Sequence, residues 1–95
     1  MEDPIVSEET VPSYETVKEK ISRMDSTILI SRIFFIPDNL TYRFQLIKKG
    51  KKCMMEIARS LLDNLKNDSL NSEEELDNIL KSYIEHPERW SEVEG

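Results

Sequence analysis

The sequence predicts an all-α domain, a small three-helix arrangement with a short C-terminal helical turn and a disordered acidic tail over residues 1–12. Three observations lead there. Apolar residues recur at steps of three and four in three separate stretches. Only two glycines, one of them terminal, and four prolines punctuate the 95 residues, whereas an all-β chain needs a turn signal about every 8–12 residues. The third stretch opens on a capping-box pattern, Ser72 with Glu75 three residues on.

The first helix is predicted over residues 13–35. Ser13 stands as its N-cap with Glu15 in the first turn, and Tyr14, Val17, Ile21, Met24 and Ile28 form its seam. Its second half, TILISRIFFI, is rich in β-branched and aromatic residues and by propensity also suits a strand. A lone strand leaves its ladder groups unpaired, and no second strand candidate is evident, so the helix is extended to Phe35.

The second helix is predicted over residues 39–67, after Pro37 and with Asp38 or Asn39 as N-cap. Its stripe is Leu40, Phe44, Ile47, Met54, Ala58, Leu61 and Leu65, widened by Met55 and Leu62. Gly50, flanked by four lysines, is its weak point, since glycine costs about 1 kcal/mol in a helix interior relative to alanine. The stripe keeps its phase across that glycine, which favours one continuous helix. The third helix, over residues 72–85, places Leu76, Ile79, Leu80, Tyr83 and Ile84 on one face. His86-Pro87 stops it, because the residue before a proline avoids the α region. A short turn over residues 88–93 follows, with Trp90 and Val93 on one side.

Charge is laid out acidic, basic, acidic. Residues 1–20 hold six acids against two lysines, residues 21–66 nine basic groups against four acids, and residues 67–95 nine acids against two basic groups, for a net charge of −6. No basic n-region with an apolar h-region marks the N-terminus, no apolar run approaches the ~20 residues of a membrane span, and the single cysteine allows no internal disulfide. The expected location is cytoplasmic.

The pattern expected of an enzyme is absent. Cys53 and His86 lie far apart in the chain, and a metal site needs three or four ligands of suitable type. One internal glycine cannot build a phosphate loop, and Cys53 reads as an inert thiol behaving as a small hydrophobe. No catalytic residue, metal or cofactor is predicted.

Binding is the remaining reading. The apolar surplus of residues 30–36 with Trp90 points to a protein-docking surface made of Ile30, Ile33, Phe34, Phe35 and Trp90. The expected partner is a larger protein or a second copy of the chain. The expected role is a non-catalytic accessory or regulatory subunit, or an inhibitor, of the kind that serves nucleic-acid-processing machinery. The alternative is direct nucleic-acid binding by Lys48, Lys49, Lys51, Lys52 and Arg59, drawn as a ridge along the second helix. Lys52 with Glu56 and Arg59 with Asp63 stand at i,i+4 and would neutralise part of that ridge.

Overall fold

The computed structural model describes residues 5–67 and 70–92, and it is an α+β fold, not an all-α one. Helix α1 spans Tyr14–Met24, and three strands of equal length follow: β1 Leu29–Ile36, β2 Thr41–Lys48 and β3 Lys51–Ala58. Helices α2 (Arg59–Leu65) and α3 (Leu70–Ile84) come next, then a 3-10 turn at Pro87–Arg89 and a two-residue strand β4, Ser91–Glu92. The four strands form one antiparallel sheet in the order β1-β2-β3-β4.

The correction to the 39–67 helix begins at Lys49-Gly50. Lys48 pairs with Lys51 across these two residues, whose φ angles are 48° and 77°. Two successive positive φ values define a type I′ hairpin turn, in which glycine is favoured at the second position. The side chains on either side alternate accordingly: Tyr42, Phe44 and Leu46 on β2, and Cys53, Met55 and Ile57 on β3, are all buried. The stripe drawn on the helical wheel mixed both faces of this hairpin. Phe44 is fully buried, whereas Leu40 is 54% and Met54 37% exposed.

Once β2 and β3 exist, the strand propensity of residues 29–36 has a partner and prevails over helix. The first helix therefore stops at Met24. Asp25 ends it with an Asx-type turn, its Oδ1 accepting hydrogen bonds from the Thr27 amide at 3.0 Å and the Thr27 hydroxyl at 2.6 Å. A bulge between Ile30 and Arg32 shifts the register of β1 on β2. That extra residue lets Ile30, Ile33 and Phe35 stand opposite the inward-facing Leu46, Phe44 and Tyr42.

The helices cover one face of the sheet. Val17 and Ile21 of α1, Leu61, Leu62 and Leu65 of α2, and Leu76, Leu80 and Ile84 of α3 join the inward strand residues in a single core. Each buried aliphatic or aromatic side chain contributes about 1.5–3 kcal/mol of hydrophobic stabilisation. Lys20 of α1 reaches Asp77 of α3 at 2.9 Å and Glu73 at 3.7 Å. Ser13, at φ 56°, does not cap α1 with its side chain; its hydroxyl donates instead to the Leu62 carbonyl at 2.8 Å. Ser72 lies inside α3 and is buried rather than heading it.

The described part of the N-terminal segment is structured, against the expectation of a disordered tail. Ile5 bridges to Phe34, the Val6 amide donates to the Ile33 carbonyl at 2.9 Å, Glu8–Thr10 forms a 3-10 turn, and Val11 is buried. The three apolar residues dock on an existing sheet and core, so they need no periodicity of their own. Residues 1–4 lie outside the described residues. The final turn is shorter than expected and gives way to β4, which pairs with Lys51 and Lys52; Val93 lies outside the described residues.

Candidate functional site: the open sheet face and a basic pocket

The face of the sheet opposite the helices carries the alternate residues of each strand. From β1 come Leu29, Arg32, Phe34 and Ile36; from β2, Thr41, Arg43, Gln45 and Ile47; from β3, Lys52, Met54, Glu56 and Ala58. None of these is buried, and Leu29 is 66% exposed. Ile5, opposite Phe34, extends the same face and is also exposed. A central ion pair crosses it, Arg43 Nε and Nη2 donating to Glu56 Oε2 at 3.0 and 2.9 Å. Arg32 and Lys52 have no acidic partner among the described residues. The face is thus mixed: Leu29 and Ile47 at one end and Phe34 and Ile36 at the other flank a polar middle of Arg32, Gln45, Arg43 and Glu56, with Met54 beside Gln45.

Of the five residues expected to dock a protein, Trp90 lies apart after α3, and β1 divides the other four between its two faces. Ile33 is core, and Ile30 and Phe35 pack against it, with Phe35 tilted on Tyr42 at 5.1 Å between ring centroids. Phe34 alone of the β1 group points to the open face. Leu29, Ile36, Ile47 and Met54, which complete that face, are not among the docking residues expected from the sequence; Ile47 and Met54 are expected in a helical core stripe. The strict polar–apolar alternation of Thr41 to Leu46 is the signal that would have located the exposed half of the sheet.

The lysine cluster is likewise divided. Lys48 and Lys51, paired across the turn, share the helix-side parity of Leu46 and Cys53, whereas Lys52 pairs with Ile47 on the open face. Arg59 heads α2 at the opposite end of β3, with its Nε 3.7 Å from Asp63 Oδ2. The ridge drawn along a helix therefore does not form. Glu56 answers Arg43 across the strands rather than Lys52 along the chain, since positions i and i+4 of a strand stand about 13 Å apart.

On the helix side, the hairpin tip meets the end of α3. Lys48, Lys49 and Lys51 line a pocket of about 220 Å³ with Ile84, Pro87 and Trp90. Trp90 is half-buried and held by its Nε1–H, which donates to the Ile84 carbonyl at 3.3 Å. The Lys48 ammonium lies 5.9 Å from the Trp90 ring centroid and 2.7 Å from Asp25 Oδ2. Lys48, then Thr27, holds the Asp25 carboxyl below the usual carboxylate range. Nearby, the Arg89 guanidinium stacks on Tyr83 at 4.6 Å.

Cys53 faces the core, and burial pushes its thiol pKa up, which leaves it protonated and poorly nucleophilic. His86 is exposed and contacts Glu88 at 2.9 Å. Among the described residues no group of three or more His, Cys, Asp or Glu could hold a metal ion, and no helix is long and apolar enough to cross a membrane. Comparisons with protein-family models, with curated proteins and with solved structures find no match.

Proposed function

We propose that this chain is a non-catalytic interaction module that docks on a larger protein through the open face of its sheet. The observation that carries the reading is the one-sided packing: Leu29, Phe34, Ile36, Ile47 and Met54 share a face that no helix covers. Exposed apolar side chains gathered on one surface mark protein interaction sites, and a sheet face on which they flank a central ion pair suits a broad partner surface better than a small molecule. Arg32 and Lys52 favour a partner with an acidic rim, and Arg is among the residue types enriched at interfaces. An accessory or regulatory subunit needs such a surface and no reaction centre.

Affinity capture from native extract tests the reading, with wild type compared against a Leu29→Asp/Met54→Glu variant. Both positions are exposed, so the variant keeps its fold, as verified by circular dichroism and melting. The expected result is a defined partner retained by wild type and lost by the variant. Equal recovery of that partner by a folded variant refutes docking through this face.

A further inference from the structure

We propose that the pocket at the β2–β3 hairpin tip binds a nucleotide unit, its base against Trp90 and its phosphate between Lys49 and Lys51. This goes beyond the docking reading, because the pocket lies on the helix side of the sheet and fails or stands separately. The pocket has two unlike halves. One is flat and apolar: the indole of Trp90, the ring of Pro87 and the Ile84 side chain. The other is cationic and comes from the hairpin.

The cations differ in their freedom. Lys48 is committed to Asp25 and lies over one face of the indole at 5.9 Å from its centroid, so a base stacks on the other face or displaces that ammonium. Lys49 and Lys51 are exposed and form no ion pair within 4 Å among the described residues, although Glu92 of β4 stands across the sheet from Lys51, which leaves Lys49 the freer charge. Their charge remains available in a chain whose net charge of −6 otherwise repels anions. Lysine ammoniums act as compact point charges for phosphate. A fixed indole provides a stacking platform that accepts any base.

Neither half alone names the ligand. Inorganic phosphate or an acidic side chain would use the lysines and leave the apolar plate idle, and a neutral aromatic would do the reverse. A nucleotide engages both. It can come as a free mononucleotide or as one unit of a single strand, and the arms of the test distinguish these sources.

Trp90 is the only tryptophan in the chain, so its fluorescence reports on the pocket directly. The full chain is titrated at low salt with adenosine 5′-monophosphate, adenosine, inorganic phosphate, a short oligothymidylate and a poly-glutamate peptide. Saturable quenching by the mononucleotide, exceeding that by adenosine or phosphate, identifies a free-nucleotide site. Quenching by the oligothymidylate with little from the mononucleotide identifies a strand site. In either case Lys49→Gln/Lys51→Gln weakens binding about tenfold or more, and for the strand lowers the salt slope by about 0.7 per lysine removed. The folded Leu29→Asp/Met54→Glu variant binds unchanged. No quenching by either nucleotide probe at millimolar concentration, equal quenching by poly-glutamate, or an unaffected double-lysine variant overturns the proposal.

Discussion

Gly50→Ala is a test whose sign depends on the fold. In the hairpin Gly50 sits at φ +77° with nothing within 4 Å of an added Cβ. Sterics with neighbours therefore contribute nothing, and the backbone conformation alone decides. A non-glycine residue in the left-handed region costs roughly 1–2 kcal/mol, so Gly50→Ala is expected to destabilise by about that amount. In a domain of this size that corresponds to a fall in Tm of roughly 4–16 °C, at about 4–8 °C per kcal/mol. A helix through the same position predicts the opposite, a gain of about 1 kcal/mol from replacing an interior glycine. Lys49, at φ 48°, supplies the converse experiment. Asparagine tolerates that conformation better than lysine and forms the favoured Asn-Gly turn, so Lys49→Asn is expected to stabilise the hairpin. In a helix interior the same change lowers propensity. Urea denaturation followed by far-UV circular dichroism measures both variants. A Gly50→Ala protein more stable than wild type refutes the hairpin turn.

Two further outcomes follow from burial and charge. Phe44→Ala empties a fully buried position and is expected to cost about 3–5 kcal/mol, whereas Met54→Ala on the open face is expected to cost less than about 1 kcal/mol; similar urea midpoints for the two would contradict the two-faced sheet. Asp25, whose folded-state pKa is lowered by Lys48 and Thr27, stabilises the fold above its unfolded pKa of about 3.9 and loses that contribution as pH falls through its lower folded value. The stability gap between wild type and Asp25→Asn is therefore steady from about pH 7 to 5 and closes below about pH 4. A gap that stays constant down to the acid transition contradicts the Lys48–Asp25 pair.

The helices at the two ends of the chain were legible because each buries one periodic seam. Tyr14, Val17 and Ile21 are core in α1, as are Leu76, Leu80 and Ile84 in α3. The middle was misread because a two-residue hairpin can imitate a helix. Phe44 on one face and Ile47 on the other stand three apart, and Met54 and Ala58 stand four apart on the open face. Apolar side chains from the buried and the open face together supply a false 3.6-residue period. The strand propensity of residues 29–36 is decisive only once β2 is recognised as its partner, so a helical reading of residues 39–67 also hides β1. The decisive local signal was Lys49-Gly50 between two alternating stretches of equal length. Of the candidate sites, the lysines and Trp90 were visible as residue types. Their meeting was not, because it depends on the pairing register and on where α3 ends.

That register gives neighbouring residues separate tasks. Lys51 and Lys52 are adjacent in sequence, yet one lines the pocket and the other pairs with Ile47 on the open face. A run of five residues that reads as one basic patch thus feeds two surfaces of different character. One is a sheet face that mixes apolar side chains with a central ion pair, and the other a pocket of three lysines against Trp90, Pro87 and Ile84. A one-residue slip at the turn would exchange the two sets of side chains. The positive φ at Lys49 and Gly50 is the local feature that prevents the slip. The Lys48–Asp25 pair adds a second restraint, tying the hairpin tip to the end of α1. The same turn that fixes the fold therefore fixes which lysines line the Trp90 pocket and which stands on the open face.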